Sequence, residues 1–208
     1  MSVYVDILRK VRIWGYSKLI VGEHAGIKLV DISSNKSNAK PFIEHTSLAL
    51  DLISRIDPLR FARVTRYIDY IVNLELYSGG RYCPGKICQI DYGRMNFSKY
   101  PDWFLYLYAS AIVHEATHGY IQSKGIIRTS ANGMDIERIC VTEENHFLSK
   151  IQSFWGKRLL RSFDPKKCEY GSGLRRLTTM LRRMKEERIK AQQSGPAYPP
   201  QGVGSADP

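Results

Sequence analysis

The segment from Pro101 to Gly125 constrains the fold more than any other part of the chain. Pro101-Asp102 is typical of a helix start, and Gly125 stands where a glycine that ends a helix is expected. Between them, residues 103–114 include no charged side chain. The sequence therefore predicts a long, apolar and buried helix over about residues 102–124, which other elements must cover.

This predicted helix contains the motif His114-Glu115-Ala116-Thr117-His118, an HExxH sequence. Residues four apart on a helix lie one above the other on one face, so both imidazoles can bind a single metal ion. Glu115 is rotated by about 100° from His114 and can reach a water on the metal rather than the metal itself. Two neutral nitrogens suit zinc, which lowers the pKa of a bound water whose proton a carboxylate can take. The motif predicts His114 and His118 as zinc ligands and Glu115 as the catalytic base.

A motif as short as HExxH also occurs by chance in proteins that bind no metal. Two features of this sequence argue against chance. Two of the five histidines in the chain fall within the motif, and residues 111–113 and 119–121 around it are uncharged. A buried helix does not normally hold two histidines and a glutamate without a compensating partner.

A third protein ligand is expected from the next predicted helix, at about residues 136–154. The apolar face of that helix includes Val141, Leu148 and Ile151, with Cys140 at its edge. Glu137 and Glu144 fall on the apolar face, whereas Glu143 points away from it. A carboxylate on a buried face needs a cation or hydrogen bonds, so both Glu137 and Glu144 are candidate ligands.

An HExxH motif followed by a glutamate on the next helix resembles the gluzincin group of zinc metallopeptidases. Glu137 lies nineteen residues after His118 and Glu144 twenty-six, and the spacing of Glu137 fits the group better. The resemblance implies Glu137 as the third ligand and one zinc ion per chain. The segment IERICVTEENHF is also similar to small uncharacterised bacterial proteins that carry an HEATH motif.

The resemblance covers about residues 110–150 and departs from the best-known gluzincin pattern at one position. That pattern has an acidic residue four positions after the glutamate ligand, where this chain has Val141. The partner that orients a ligand histidine is therefore expected elsewhere, from Glu144 or Asp135.

The remaining sequence predicts an α+β protein with a zincin-like fold, in which a small mixed sheet precedes the HExxH helix and the helix that supplies the glutamate. Apolar spacing predicts helices over residues 42–56 and 59–77. Short strands are expected within residues 18–32 and 81–97. Gln89–Tyr92 is a candidate edge strand that could bind an extended peptide beside the site.

Three regions are expected along the chain: a zincin-like metal-binding domain over residues 1–155, a basic helical segment over 156–193, and a disordered tail rich in proline and glycine over 194–208. The formal net charge is +11. Residues 157–190 hold twelve Lys/Arg and four Asp/Glu, so most of the excess positive charge belongs to the basic segment. Its leucine spacing predicts an amphipathic helix with a basic face.

The location expected from the sequence is the cytoplasm. The first twenty-two residues have five charged side chains and no uninterrupted apolar core, which argues against an export signal. No apolar stretch is long enough to predict a transmembrane segment. The four cysteines are too few for a disulfide scaffold in a chain of 208 residues and are expected to be reduced.

The function predicted from these features is zinc-dependent hydrolysis by a metallopeptidase, with a peptide or protein substrate and a zinc-bound water activated by Glu115. The alternative is a non-catalytic binding protein that keeps a zincin-like fold, with the basic helix associating with nucleic acid. Glu115 separates the two functions, because a structural zinc site has no use for that carboxylate.

Overall fold

The computed structural model of the chain describes residues 10–11, 13–33, 39–74, 80–129, 131–152, 154–160 and 162–163. The chain divides into two units, Met1–Cys168 and Glu169–Pro208, and all described residues belong to the first. The predicted tail over 194–208 lies outside the described residues. So does the predicted basic segment over 156–193, apart from residues 156–160 and 162–163.

Five strands form one mixed sheet, as the sequence predicts for an α+β protein. The strands are β1 (Ile20–His24), β2 (Ile27–Asp31), β3 (Tyr70–Asn73), β4 (Gly80–Cys83) and β5 (Ile87–Ile90). Their order across the sheet is β1-β2-β3-β5-β4. The central neighbours β2, β3 and β5 are parallel, and the outer strands β1 and β4 each run antiparallel to their neighbour.

The outer strand on the site side of the sheet is β4, so the expectation that Gln89–Tyr92 forms an edge strand is wrong. β5 lies between β3 and β4, and all four of its residues are buried. Strands buried on both faces are rich in apolar residues, and β5 carries Ile87, Cys88 and Ile90. The outer position belongs instead to the less apolar segment Gly80–Cys83.

A helical stretch at residues 10–11 and 13–17 precedes β1, and five further helices complete the described fold: α1 (Ala39–Ile56), α2 (Pro58–Tyr67), α3 (Pro101–Ser123), α4 (Gly133–Ser149) and α5 (Phe154–Leu159). A single 3-10 turn spans Tyr92–Arg94. At the start of α2, the side chain of Asp57 accepts a hydrogen bond from the backbone N–H of Arg60, and Pro58 is the first helical residue. No helix in the described part of the chain is both long and apolar enough to cross a membrane.

The helix predicted over residues 59–77 ends at Tyr67, and its second half contains a strand instead. Ile68, Ile71 and Leu74 fit a helical spacing, but Tyr70–Asn73 forms β3 in the middle of the sheet. Aromatic and β-branched residues favour strands. The adjacent Ile71 and Val72 are both fully buried, which a strand in the middle of a covered sheet provides.

Helix α3 lies at the centre of the described fold, as its apolar sequence predicts. It contacts α1, α2, α4, α5 and strand β4. Tyr108, Ala109, Ile112 and Val113 of α3 belong to the main core, together with residues of the sheet and of the surrounding helices. Close approach to β4 depends on Gly119, because a Cβ atom there would lie 2.8 Å from the ring of Tyr82. The HExxH segment is thereby held against the edge of the sheet.

Candidate metal centre

The two histidines of the motif face helix α4. The ring centroids of His114 and His118 are 5.1 Å apart, and both side chains are largely buried. Glu137 belongs to α4, and its carboxylate points toward both histidines. One of its oxygens is 3.3 Å from Nε2 of His114, and the other is 3.4 Å from Nε2 of His118. The structure thus brings together the three residues that the sequence predicts as ligands.

These distances can be compared with those between the ligands of a zinc ion. Tetrahedral zinc, with nitrogen and oxygen ligands at about 2.0–2.2 Å, places neighbouring donor atoms about 3.3–3.6 Å apart. The two contacts of Glu137 fall within that range. Both histidines present the same nitrogen, Nε2, toward the carboxylate, as two ligands of one ion would. Among the described residues, the group whose ligand atoms all lie within 4.8 Å of one another is His114, His118 and Cys140, and Glu137 joins the two histidines through different oxygens.

Glu144, the alternative ligand, lies on the opposite side of the His114 ring. Its Oε2 atom is 3.3 Å from Nδ1 of His114, and the hydroxyl of Ser110 donates to its Oε1 atom at 3.1 Å. Each ring nitrogen of His114 faces a carboxylate, Nδ1 that of Glu144 and Nε2 that of Glu137. A protonated ring would donate to both, and a metal at Nε2 would take the place of the proton there while Nδ1 still donates to Glu144. Glu144 thus orients His114. The other candidate for that role, Asp135, is exposed and pairs with Arg138.

Glu115 is buried beside the ligands and points toward strand β4. It is 5% exposed, and its Oε2 atom is buried without a hydrogen-bond partner in the described part of the chain. Its other oxygen, Oε1, lies 2.7 Å from where a Cβ atom on Gly80 would stand, so only glycine leaves room for the carboxylate. Burial raises the pKa of Glu115 to about 7, although the nearby charge of His114 acts to lower it.

The other three groups of the centre show strongly displaced pKa values. Burial lowers the pKa of His114, but hydrogen bonds with Glu137 and Glu144 outweigh burial and raise it to about 10. Burial also raises the pKa of Glu137, and its hydrogen bond with His114 overcomes this and lowers the pKa to about 2. Burial and the charge of His114 lower the pKa of His118 to about 4. Such displacement in one cluster is typical of functional sites.

Two further residues at the centre were not predicted from the sequence. Arg128, in the loop between α3 and α4, places Nη1 3.0 Å from Oε1 of Glu137. Cys140 is fully buried, and ligand atoms of His114, His118 and Cys140 all lie within 4.8 Å of one another. The only signal for Cys140 in the sequence is its position three residues after Glu137, which places both on one helix face.

Glu143 points away from the centre, as expected. It pairs with Arg60 and Arg63 on helix α2. The described cysteines Cys83, Cys88 and Cys140 are reduced thiols.

Comparisons with protein families, with curated proteins and with solved structures find no match to this chain. The resemblance to gluzincins therefore rests on the residues and the geometry described above.

Proposed function

We propose that this chain is a zincin-like, zinc-dependent hydrolase that cleaves peptide bonds. The observation that carries this proposal is the position of Glu137, whose two carboxylate oxygens lie 3.3 and 3.4 Å from Nε2 of His114 and His118. These three side chains would hold one zinc ion per chain. When bound, zinc supplies Lewis acidity and lowers the pKa of a coordinated water toward neutrality.

In this proposal, Glu115 moves the proton. Its carboxylate takes a proton from the attacking water as general base and then gives it to the leaving amine as general acid. The buried, unpartnered Oε2 atom supports this function, because a buried carboxylate oxygen without a hydrogen bond carries a cost that a purely structural residue would avoid. Glu144 fixes the tautomer of His114, and Arg128 holds the carboxylate of Glu137.

A peptide is the substrate class that the neighbouring strand favours. β4 is an outer strand of the sheet, and its first residue, Gly80, lies directly against the carboxylate of Glu115. An extended peptide can pair with an outer strand through backbone hydrogen bonds, which would bring its amide groups beside Glu115.

Metal analysis tests the proposal. Protein purified without chelator and offered zinc should carry about one zinc ion per chain. His118→Ala should lose it, whereas His146→Ala should keep it, because His146 is an exposed histidine on α4. Chelator should abolish any peptidase activity found in a substrate screen, and added zinc should restore it. Wild-type protein that binds no zinc under these conditions would rule the proposal out.

A further inference from the structure

Cys140 is the feature of the metal centre that the proposed function leaves unused. It lies on α4 between Glu137, three residues before it, and Glu144, four residues after it, so all three share the face that looks toward α3. Its side chain is fully buried in a small apolar cluster with Ile121 and Ile136. Glu137, in contrast, contacts the partly exposed Arg128. The thiol thus approaches the histidines from the apolar side of the centre.

The distances place this thiol within reach of a shared ion. One ligand atom each from His114, His118 and Cys140 lies within 4.8 Å of the others. A zinc ion with a sulfur at about 2.3 Å and nitrogens at about 2.0 Å sets sulfur and nitrogen about 3.5 Å apart. Because 4.8 Å is the upper limit of these separations, the sulfur must move by no more than about 1 Å, which takes a χ1 rotation of roughly 30° or a matching shift of the two helices.

Buried cysteines most often act as small apolar side chains, so burial alone says little. The surroundings of Cys140 differ from those of the other described cysteines. Cys83 donates a hydrogen bond to the side chain of Gln89, and Cys88 belongs to the main apolar core. Of the three described cysteines, Cys140 is the one whose sulfur lies within 4.8 Å of a nitrogen from each of two histidines. Cys140 is therefore the cysteine that could act as a metal ligand.

Building on the proposed zinc centre, we propose that Cys140 is a fourth protein ligand, which closes the centre in the resting protein. Four protein ligands are typical of structural zinc, whereas a catalytic zinc keeps one position open. The sulfur–zinc bond would form as the S–H bond breaks and its proton leaves to solvent, and withdrawal of Cys140 would reverse both changes. The chain would then be a latent hydrolase whose open position appears only when this thiol moves away.

Cobalt substitution tests the fourth ligand independently of hydrolysis. Protein loaded with Co²⁺ alone should show the visible bands of a four-coordinate ion and a near-ultraviolet thiolate-to-cobalt charge-transfer band. Cys140→Ala should lose the charge-transfer band and keep the visible bands, because His114, His118 and Glu137 still hold the ion. Cys83→Ala is the matched control, since it removes a buried cysteine outside the centre, and it should keep the charge-transfer band.

Zinc affinity and hydrolysis supply two further measurements. Loss of residues that merely support metal ligands raises Kd about 10–100-fold, so Cys140→Ala should raise the Kd for zinc at least tenfold. The Cys140→Ala variant should hydrolyse a substrate from the peptidase screen faster than wild type does at saturating zinc. The reason is that the fourth coordination position of the ion is then open.

The outcomes separate this inference from the proposed function. Visible cobalt bands without a charge-transfer band in wild type would overturn the role of Cys140 and leave the His114–His118–Glu137 centre standing. A charge-transfer band that survives in Cys140→Ala would also overturn it, by assigning the thiolate to another cysteine. The absence of all cobalt bands in wild type, together with the absence of zinc, would remove the proposed function itself. The wild-type spectrum needs no variant, so the test does not depend on the folding of Cys140→Ala.

Discussion

Helix α4 borders two groups of charged side chains. The groups differ in the balance between their carboxylates and their permanently positive side chains. On one side, Glu143 belongs to an arginine network with residues from α2 and from the ends of α1 and α4. The network consists of Asp57, Arg60, Arg63, Glu143 and Lys150. Its contacts are short, from 2.6 to 3.0 Å, and three cations face two carboxylates. Each carboxylate therefore has at least two permanent positive partners.

On the other side of α4, carboxylates outnumber permanent cations. Glu115, Glu137 and Glu144 gather around the two histidines, and Arg128 is the guanidinium that reaches them among the described contacts. If both histidines are neutral, as metal ligands must be, three carboxylates and one arginine leave two negative charges, which a divalent cation would neutralise. Without an ion, the raised pKa of His114 keeps that ring positively charged near neutral pH. The comparison shows that buried charge alone does not identify a metal site, because the arginine network is buried as well. The deficit of permanent cations is the distinguishing feature.

The largest expected effect comes from the carboxylate that would not bind the ion. Glu115→Gln keeps the size of the side chain and removes the base, so hydrolysis should fall by about 10²–10⁴-fold. Zinc content should stay at the wild-type value, because Glu115 is not a ligand. Initial rates and elemental analysis of the same preparations check both statements. The exposed Glu44→Gln is the control and should leave both unchanged.

Hydrolysis by Glu115→Gln at the wild-type rate would make the zinc structural and favour the non-catalytic alternative. The acidic limb of the wild-type pH–rate profile should also disappear in this variant, since that limb reports protonation of the base together with the coupled groups around it.

The next largest effect should come from breaking the arginine network. Asp57 is fully buried, pairs with Arg60 and Lys150, and caps α2. Asp57→Ala leaves the buried Arg60 without this partner, and we expect the free energy of unfolding to fall by about 3–5 kcal/mol in urea titrations. The control is Asp51→Ala, because Asp51 is exposed, and it should change the value by no more than about 0.5 kcal/mol. A loss below about 1 kcal/mol for Asp57→Ala would mean that the network contributes little to stability.

The same carboxyl group gives the network a defined pH dependence. Burial raises the pKa of Asp57, but hydrogen bonds with Lys150 and Arg60 outweigh burial and hold it below its usual value. A carboxyl with a lower pKa in the folded state stabilises the fold above its unfolded pKa of about 3.9, and loses that contribution as pH falls through the folded value. The stability difference between wild type and Asp57→Asn should therefore narrow below about pH 4. A difference that stays constant down to the acid transition would contradict this assignment.

The smallest expected effect is a change in the Kd for zinc. It should differ between glutamate variants on the two faces of α4. Glu144→Gln removes the carboxylate that orients His114 and should raise the Kd for zinc about 10–100-fold. Glu137→Gln, which removes a ligand, should raise it further. Glu143→Gln should leave the Kd unchanged, because Glu143 belongs to the arginine network. Competition titrations with a zinc-binding dye measure all three.

If Glu144→Gln loses zinc entirely while Glu137→Gln retains it, the ligand is Glu144 and the assignment of the two glutamates is reversed. That result would leave the proposed metal centre in place. It would contradict the assignment of Glu137 by its spacing from His118.

The elements that the sequence predicted well carry their signals locally. Pro101, Asp102 and Gly125 mark the ends of α3 to within a residue or two, and the uncharged stretch between them requires burial. β3 was missed because Ile68, Ile71 and Leu74 match a helical period, and only the neighbouring strands show that this segment belongs in a sheet. The predicted period also includes Phe61 and Val64, which do lie in α2, so the error begins only where the adjacent residues Ile71 and Val72 favour a strand.

The candidate site shows the same division. The HExxH motif identifies His114, Glu115 and His118, and the spacing from His118 identifies Glu137. All four could therefore be proposed from the sequence. Arg128 and Cys140 join the centre through the fold of the α3–α4 loop and the rotation of α4, which no local pattern specifies. The arginine network was missed for the same reason, because its contacts join residues 60 and 143.

The short connection between α3 and α4 has a consequence for the order in which the molecule folds. The two helices are joined by residues 124–132, so every proposed ligand lies within one helical hairpin. Closing so short a loop costs little chain entropy, whereas the parallel pairing of β2 with β3 joins residues such as Lys28 and Tyr70, far apart in sequence. Contacts near in sequence form faster than distant ones. If the chain binds zinc as proposed, the hairpin would offer its side chains to the ion before the sheet is complete, and early capture of the ion would guide the later steps of folding.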